Sequence, residues 1–517
     1  MRRSAALLPL LLVSGCLVGP NYERAPPASA VAPEYKEAEL PPGAASVFRP
    51  AQPSDGADRG QWWRVYGDPT LDGLAAQIDV SNQNLKIFEA NYRRARAIIR
   101  QDQSALYPNI SGTGSAQQTG TGGQRGTGTG TTSTSTVTRS DSTVGQFSTG
   151  GTLNWEIDLW GTLRRQIESD SASAQASDAD LANARLSAQT DLVINYASLR
   201  ISDDRKRLYE ATVAAYLRSM QIAQNQVDAG IVSRVDLVQA QTQYEQTRAQ
   251  LVNESINRAL LEHAIALLVG KAPSEVSIEP AVTRLTTPTV ESGIPSTLLE
   301  RRPDISSAER QMAAANAQIG VAKGAFYPQI SLGATIGFLS GGLGSLLQLG
   351  SAAWSVGPQI AGTFVDGGGL AAQVQGARAS YDATVATYRQ TILTAFQQVE
   401  DALAQQRILV LQERVQRAAV AAAREAERLS LNQYRVGTVP YTTVVQTQTA
   451  ALSAEQTLLT IRLNRLVASA NLVKALGGGW RQEDLPPPVP IGGLKQANPA
   501  PPAFPPPGAQ TISAPRQ

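Results

Sequence analysis

Few side chains in this 517-residue chain could carry out catalysis. Its one histidine, His263, lies well inside a predicted helix, so neither a Ser/His triad nor a histidine metal cluster can be assembled. Paired acids such as Asp203-Asp204 and Glu400-Asp401 could act on a glycosidic bond, but they fall in long polar helical stretches and are better explained as solvated faces or links between subunits. No GxxxxGK[ST] pattern for ATP phosphates occurs. We therefore expect no catalysis, no cofactor and no metal site.

The one cysteine, Cys16, ends a predicted export signal. Met1-Arg2-Arg3 precedes a short apolar stretch that ends in Ser14-Gly15-Cys16, which resembles the bacterial lipoprotein box. In that box the cysteine becomes the acylated first residue of the mature protein. The alternative is a chance cysteine after an ordinary signal. Leu17 replaces the aspartate that would suggest inner-membrane retention, and it favours the outer membrane. With one cysteine, no disulfide can form within the chain.

Charge and hydropathy exclude two further classes of protein. Charged residues make up 17% of the chain and the formal net charge is +2, so no charge field indicates nucleic acid binding. No segment after the signal reaches about 18 consecutive apolar residues, the length of a membrane-spanning helix. If the mature protein crosses a membrane, we expect it to do so by strands.

The chain contains an internal duplication, with equivalent positions 207 to 220 residues apart. Tyr107-Pro108 is repeated as Tyr327-Pro328, and Gly230 is repeated as Gly437. Both copies place an alternating stretch rich in Gly, Ser and Thr before a very long helical stretch. A period of this kind indicates a duplicated scaffold.

The helical stretches are unusually long. A first helix is predicted from Thr70 to Ser104, opened by Asp68-Pro69. Residues Thr162–Asp228 and Leu370–Val436 contain no proline, and at 1.5 Å per residue each would extend about 100 Å. After a glycine-centred turn, each is followed by a returning helix, predicted at Val235–Val269 and Tyr441–Leu476. In the second of these, positions from Val445 to Val473 alternate spacings of four and three, typical of a coiled-coil seam.

Two pairs of strands are predicted, one pair in each copy. In the second copy, apolar residues from Ile330 to Phe338 alternate with Ser, Gly and Thr, and a further strand is predicted from Trp354 to Phe364. In the first copy, the alternation runs from Phe147 to Leu159. Segments of about ten residues with one apolar face resemble transmembrane barrel strands. Four strands cannot close a barrel, since about eight is the smallest number that does, so we expect the chain to oligomerise.

These patterns predict six regions. Residues 1–15 form the signal peptide, 16–68 a lipidated extended tether that packs on the rest, 69–270 the first repeat, 271–302 a linker, 303–480 the second repeat, and 481–517 a Pro-rich disordered tail. The fold class is α+β.

The motifs resemble the TolC-like outer-membrane factors, in their lipoprotein branch. The resemblance rests on Gly19-Pro20-Asn21-Tyr22, Trp62-Trp63-Arg64-Val65-Tyr66-Gly67-Asp68-Pro69, Leu298-Leu299-Glu300-Arg301-Arg302-Pro303-Asp304-Ile305, Phe326-Tyr327-Pro328 and Lys474-Ala475-Leu476-Gly477-Gly478-Gly479-Trp480. It covers nearly everything from Cys16 to Trp480. It implies a homotrimer in which each chain gives four strands to a twelve-stranded outer-membrane barrel and its long helices to a periplasmic tunnel. The implied partners are a periplasmic adaptor protein, an inner-membrane transporter and outer-membrane lipid.

The two turns between the long helices are the predicted functional positions. Glycine permits a left-handed backbone at a helix end, Ser233 can cap the next helix, and Pro440 suits a first turn. The resemblance implies that these turns are the periplasmic tips that dock the adaptor. The predicted docking residues are Gly230, Ile231, Val232, Ser233, Gly437, Thr438, Val439 and Pro440.

The resemblance also implies a gate beside the tips. Asp236 and Tyr434 match gate-linking positions, in which an acid on one helix pair faces a tyrosine on the neighbouring pair, and Arg234 could join them. Relatives commonly carry aspartates six and nine residues after the second tip glycine, which form a cation-attracting ring. Here those positions are Thr443 and Gln446, so we expect a weaker preference for cations.

We interpret the chain as the outer-membrane channel of a tripartite efflux system, a passive conduit opened by its partners. One alternative is the exit duct of a type I protein-secretion system, which has the same fold. Another is a lipid-anchored periplasmic coiled-coil spacer without a pore, which would need no alternating strands. A lipoprotein enzyme is disfavoured by the lone histidine.

Overall fold

The computed structural model describes residues 17–27, 35–38, 61–120, 143–286, 302–481 and 484–489. The helices are α1 (Pro69–Ser81), α2 (Gln83–Ser104), α3 (Thr162–Asp228), α4 (Arg234–Leu268), α5 (Pro303–Gly324), α6 (Gly369–Arg435) and α7 (Tyr441–Ala475). The strands are β1 (Asn109–Gly120), β2 (Thr143–Glu156), β3 (Gln329–Ser340) and β4 (Ala352–Ala361). None of these described helices has both the length and the apolar character of a membrane span.

The four strands form one antiparallel sheet in the order β1-β2-β3-β4. Tight packing at its centre requires glycine, because a Cβ atom on Gly150 would lie 2.6 Å from the Ile336 carbonyl oxygen. The strand predictions are confirmed with shorter limits. β2 ends at Glu156, so Ile157 and Leu159 lie beyond it, and Phe364 lies beyond the end of β4. Among the described residues, β1 and β4 each pair on one side only, so both edges of the sheet are open.

Two helical hairpins carry most of the structure. α3 and α6 are each 67 residues long, about 100 Å, and each pairs with a returning 35-residue helix, α4 or α7. α7 also packs along α3, so the four long helices lie side by side in the order α4, α3, α7, α6. The seam predicted on α7 is only partly confirmed. Leu452, Leu459, Leu466 and Ala470 are buried, but Tyr441, Val444 and Leu472 on other faces are buried as well, because α7 packs along α6 and α3 and also contacts α4.

The predicted helix Thr70–Ser104 is interrupted at Asn82 and forms two helices. The Asn82 side-chain oxygen accepts a hydrogen bond from the Leu85 amide (3.0 Å), and its amide group donates to the Leu268 carbonyl oxygen (2.7 Å). The chain at Gly270 fits tightly against this break, since a Cβ atom there would lie 2.0 Å from the Ser81 carbonyl oxygen. The C-terminal end of α4 therefore packs against this break. The local helical pattern could not predict the break, because it depends on this long-range contact.

A hydrophobic core lies where α1, α3, α4 and α7 meet. Trp62, Trp63 and Tyr66 occupy a short 3-10 helix and are buried in this core. The Trp62 indole donates to the side-chain oxygen of Gln189 (3.2 Å), and the Tyr66 hydroxyl lies 2.8 Å from that of Ser469. These two polar contacts satisfy the polar ends of the buried rings, as burial requires.

The segment after α4 is held to the first hairpin by buried charges. Asp203 on α3 forms ion pairs with Arg200 (3.1 Å) and with Arg258 on α4 (2.8 Å), and its carboxylate also accepts the Ala281 amide. Arg200 donates to the Glu279 carbonyl oxygen (2.8 Å). Asp203 and Arg200 therefore hold the linker between the repeats against the first hairpin. Asp203 thus has a structural role, as its place in a polar helix predicted.

Two predicted unstructured regions make specific contacts. In the tether, the Val18 carbonyl oxygen accepts a hydrogen bond from Arg165 (3.1 Å), which agrees with an extended segment packed on the rest. In the tail, predicted to be disordered over residues 481–517, the prediction is wrong for Pro486–Val489. The Pro486 carbonyl oxygen accepts from Gln175 (2.8 Å), and the Val489 amide donates to Ser171 (3.0 Å). Ser171 and Gln175 on α3 therefore hold this proline-rich segment against the helix. Residues 490–517 lie outside the described part.

Candidate gate and docking site at the helical tips

The two predicted tips are tight turns with the same backbone. Gly230 has φ 71° and Gly437 has φ 75°, so both predicted left-handed positions are confirmed. The following amides, Ile231 N and Thr438 N, donate back to the carbonyl oxygens of Gln226 (2.9 Å) and Gln433 (3.0 Å). This pattern ends a helix by satisfying its last carbonyl groups. No atom lies within 4 Å of an added Cβ at either glycine, so the positive φ is what requires glycine.

The helices after the tips begin differently. Ser233 caps α4 as predicted, since its hydroxyl oxygen accepts the Val235 amide at 3.2 Å. Pro440 lies immediately before α7 at the N-cap position, one residue earlier than the predicted first turn, with φ −70° and ψ 157°. Its ring presets the chain to enter the helix without a side-chain cap. The two tips thus reach one geometry through different side chains.

The outer surface of the tips is partly apolar. Ile231 is exposed in the first tip, and Val436 is exposed directly before the second tip glycine. Val232 and Val439, by contrast, pack against the hydrophobic cluster behind the turns. Gly230, Ser233, Thr438 and Pro440 are also exposed. The predicted docking residues therefore form one accessible surface that is fastened to the helices by two valines.

The structure brings Asp236 and Tyr434 together, although they are 198 positions apart in the chain. Asp236 lies in the first turn of α4 and Tyr434 near the end of α6, where the tyrosine is almost fully buried. Burial, and then the negative charge of Asp236, raise the pKa of Tyr434 to about 12. The tyrosine is therefore neutral at physiological pH and can act as a hydrogen-bond donor. Its buried hydroxyl lies beside the carboxylate but does not make a hydrogen bond of standard geometry.

Tyr434 belongs to an aromatic cluster at the base of the tips. Its ring centre lies 5.0 Å from that of Tyr441 on α7, at 66° between the planes. Ala223, Ala240 and Val444 complete the buried cluster. Burial, followed by the charges of its neighbours Tyr434, Tyr216 and Asp236, raises the pKa of Tyr441 as well. One buried cluster therefore joins all four long helices behind the turns.

The remaining predicted gate residues lie apart from this cluster. Thr443 is half-buried in the first turn of α7, and Gln446 is exposed in a groove of about 710 Å³ between α4 and α7. Arg234 lines the same groove. The other walls are apolar or uncharged: Val235, Val238, Gln239, Thr242, Gln243, Gln246, Thr442 and Val445. The groove therefore carries one positive charge and no carboxylate.

Comparisons with known proteins identify relatives that share this sequence and architecture. The family model described as outer membrane efflux protein matches residues 74–271 and 294–478. The efflux pump outer membrane protein TtgC of Pseudomonas putida is 31% identical over 485 residues, covering 91% of this chain and 94% of that protein. The solved outer-membrane channel OprN is 28% identical with a TM-score of 0.77, covering 90% of this chain and all of that chain. The Campylobacter jejuni channel CmeC, at 24% identity and a TM-score of 0.80, shares the fold.

The chain belongs to the outer membrane efflux protein family. The family is one of channels and not of enzymes, which confirms the sequence-based interpretation of an outer-membrane efflux channel. The efflux pump descriptions of the relatives favour efflux over type I secretion and over a spacer without a pore.

Sequence reasoning missed two tyrosines at the base of the efflux protein's tips, Tyr441 in the tip cluster and Tyr216 beside it. Tyr441 was assigned only to a helix start, and Tyr216 was not singled out at all. Tyr441 follows Tyr434 by seven residues, and two aromatic residues on either side of a tight turn were the available signal. Tyr216 carries no such signal, because only the packing of α3 on the other hairpin places it there.

Two other predicted positions add nothing to the tip site. Cys16 lies outside the described residues. His263 is exposed on α4. Within the described ranges, no group of three or more His, Cys, Asp or Glu side chains could hold a metal ion.

Proposed function

We propose that three copies of this chain form one efflux channel, with their sheets closed into a twelve-stranded outer-membrane barrel and their long helices forming a periplasmic tunnel. The observation that supports it most is a four-stranded sheet with two open edges next to helices about 100 Å long. In a bilayer, unpaired edge amides and carbonyl groups would each cost several kcal/mol, so the edges must pair with further strands. Since about eight strands is the smallest closed barrel, more than one copy is needed.

The side chains on the sheet agree with a barrel in lipid. Ile336, Trp354, Val356 and Ile360 are all exposed on β3 and β4. On β4 these apolar residues alternate with Ser355, Gly357 and Gln359, so one face of the strand is apolar and the other small or polar. This period of two is expected where one face contacts lipid and the other a water-filled interior.

The channel closes where the tip cluster holds the two hairpins together. Asp236 belongs to the first hairpin and Tyr434 to the second, so their attraction opposes separation of the hairpins. A hydrogen bond to a charged acceptor contributes roughly 1.5 to 3 kcal/mol. The Tyr434 hydroxyl lies beside Asp236 without standard hydrogen-bond geometry, so this attraction contributes less than about 1.5 kcal/mol in one copy, and threefold symmetry would repeat it. Docking of an adaptor on the exposed tip surface would separate the hairpins and open the tunnel.

The narrow end of this channel should attract cations only weakly. Thr443 and Gln446 carry no charge, and the groove beside them presents Arg234 instead of a carboxylate. Asp236 is half-buried and remains the acid closest to the tips on α4. With the exposed Asp228, which ends α3 two residues before Gly230, the channel would have at most two rings of negative charge near the tips.

Lipid attachment at Cys16 supplements the barrel as an anchor. A single acyl chain gives marginal membrane binding, whereas a closed barrel is effectively permanent. Cys16→Ser behind an ordinary cleavable signal should therefore still be recovered in outer membranes. Its recovery as a soluble periplasmic protein would contradict the barrel.

Ion conductance in planar bilayers tests the channel directly. Protein extracted from outer membranes should insert and conduct in discrete steps, and Asp236→Ala should provide an open form if the native channel stays closed. An inert protein in both forms, with native helix content by circular dichroism, would indicate a spacer instead of a channel.

A further inference from the structure

The groove between α4 and α7 runs along the first turns of both helices, beside the two tips. Its volume of about 710 Å³ lies within the range of about 300 to 1,000 Å³ that is usual for sites that bind small organic molecules. On α4 the wall extends from Arg234 to Gln246, about 18 Å at 1.5 Å per residue, and on α7 it extends from Thr442 to Gln446. The groove therefore suits an elongated molecule that lies along α4.

The two walls of the groove are related by the internal repeat. Three lining residues of α4 have their repeat counterparts, 207 positions later, among the lining residues of α7. The pairs are Val235 with Thr442, Val238 with Val445, and Gln239 with Gln446. The other lining residues apart from Arg234 are also uncharged, namely Thr242, Gln243 and Gln246. The walls therefore combine apolar surface with neutral amide and hydroxyl groups.

Arg234 is the exception to this symmetry. Its counterpart 207 positions later is Tyr441, which is buried in the tip cluster and does not line the groove. Arg234 is exposed and is the first residue of α4, so it lies at one end of the groove. Among the lining residues it is the one ionisable side chain. The groove therefore has an apolar middle and a positive end.

The carboxylate nearest to Arg234 on α4 belongs to a different environment. Asp236 follows two residues later but does not line the groove. Burial, and then the negative charge of Asp236, raise the pKa of Tyr434 to about 12, which places this carboxylate beside the tip cluster. The N-terminus of α4 adds the partial positive charge of the helix dipole at the Arg234 end. The groove therefore favours an anionic group over a cationic one.

We propose that this groove binds amphipathic organic anions. The carboxylate, sulfonate or sulfate group of the ligand accepts hydrogen bonds from the Arg234 guanidinium, whose planar fork matches the spacing of such oxygen atoms. The aromatic or aliphatic body of the ligand covers Val238 and Val445, and its polar substituents bond the amides and hydroxyls of the walls. In the proposed channel, on which this consequence rests, a molecule held beside Gln446 obstructs ion flow at the narrow end.

Two probes with the same ring system and opposite charges test the preference. They are naphthalene-2-sulfonate and 2-naphthylmethylammonium. Isothermal titration calorimetry of the full-length protein in a nonionic detergent measures their binding, after subtraction of the heat from detergent alone. The sulfonate should bind at least about tenfold more tightly than the ammonium, because the ammonium meets a like charge at Arg234. Equal affinities, or no binding of the sulfonate, would overturn the proposed site.

Substitutions of Arg234 test the positive end of the groove. Arg234→Gln should weaken sulfonate binding by about five- to tenfold, and Arg234→Lys should restore most of it because the charge is kept. Arg248→Gln is the matched control, since Arg248 is exposed on the same helix but does not line the groove. Its affinity for the sulfonate should equal that of the native protein. An equal loss in Arg248→Gln would show a general attraction to basic residues and contradict the site.

Two further variants test the walls of the groove. Val238→Trp fills the middle without a change of charge and should abolish sulfonate binding. Gln446→Glu adds a carboxylate and should reverse the preference, so that the ammonium binds more tightly. Val238 is 51% exposed, so we expect Val238→Trp to fold, and circular dichroism checks its helix content. Sulfonate binding that persists in Val238→Trp would place the binding site elsewhere.

A contact between copies is the other possible occupant of the groove. Sulfonate binding to dissociated monomers, together with none to the assembled protein, would assign the groove to that contact and overturn the ligand site.

Conductance distinguishes failure of the ligand site from failure of the proposed function. Block of the current by naphthalene-2-sulfonate, relieved in Arg234→Gln, would support both. A conducting protein that binds no sulfonate would disprove the ligand site only. A protein that binds the sulfonate at Arg234 but never conducts would disprove the channel while the site stands.

Discussion

The helices α3 and α6 are repeat counterparts of equal length, yet they are buried to different degrees. α3 buries 24 of its 67 residues and α6 buries 12. α3 lies inside the helical layer, between α4 and α7, and also packs against α2 and α5, whereas α6 contacts only α5 and α7 among the helices. The duplication therefore produced two similar helices with unequal surroundings in one chain. The exposed face of α6 indicates where the assembly continues.

The largest effect is expected from placing a charge on the free face of α6. Val415→Asp would bury an unpaired carboxylate between copies, at a cost of several kcal/mol at each interface. The chain should then fold, because Val415 is 70% exposed within one copy, but remain monomeric. Native gels or light scattering of the extracted protein measure the assembly.

The neighbouring change Arg414→Asp provides the control. Arg414 is also exposed, but it lies about 100° around the helix from Val415 and already carries a charge, so this variant should assemble more completely than Val415→Asp. Assembly of Val415→Asp at native levels would show that this face of α6 stays exposed to solvent in the channel.

The second-largest effect concerns the contact between the two hairpins at the tips. Asp236→Ala or Tyr434→Phe removes an attraction of less than about 1.5 kcal/mol in each copy, and its repetition in three copies should raise the open probability by roughly tenfold. Since both changes remove one link, the double variant should add little to either single variant. Single-channel recording measures these effects.

A variant that leaves this link intact provides the comparison. Gln446→Glu adds a charge in the groove and should increase cation preference and block by multivalent cations, with little change in open probability. Additive effects of Asp236→Ala and Tyr434→Phe would show that the two side chains act separately.

A smaller effect is expected from the tip glycines. Gly437→Val places a β-branched residue at φ 75°, which strains the backbone by about 1 kcal/mol or more. Assembly should persist, because the proposed contacts between copies lie along the helices, whereas adaptor binding and export should fall. Pull-down of the adaptor and drug accumulation in cells measure the result.

The variant Gly437→Asn tests whether the positive φ of this residue causes the loss expected for Gly437→Val. Gly437→Asn should keep most adaptor binding, because asparagine tolerates the left-handed region. Equal losses for valine and asparagine would indicate that any side chain at this position obstructs the partner.

The smallest expected effect is a pH dependence of α3 that α6 lacks. Burial, and then a hydrogen bond with the carboxyl group of Asp102, raise the pKa of Asp170 from 3.8 to about 6. Because the folded pKa is the higher one, this contribution to stability is present below about pH 4 and is lost as the pH rises to 6. On α6 the position 207 residues later is Ala377.

Thermal unfolding of Asp170→Asn measures this contribution. The variant should lose the fall in melting temperature between pH 4 and pH 6, whereas Asp191→Asn, an exposed change on the same helix, should retain it. An unchanged pH profile in Asp170→Asn would assign the fall to other groups.

Local sequence patterns predict the long helices, the tips and the strands of both repeats. Helix length follows from the absence of proline, and the tips follow from Gly230 and Gly437, because these residues act through their own backbone conformation. The alternation on β3 and β4 likewise determined the strands within a few residues. The pairing of Asp236 with Tyr434 came from a family resemblance and not from local pattern.

Contacts between distant parts of the chain establish which helices meet. Long faces of Ala, Gln and Thr fit several neighbours almost equally well, so the order α4, α3, α7, α6 could not be derived from periodicity. For the same reason the sequence does not predict the break at Asn82 or the place of Tyr216 beside Tyr441, because both depend on contacts with another hairpin or helix end. Backbone preferences act over a few residues, whereas burial depends on chain segments hundreds of residues away.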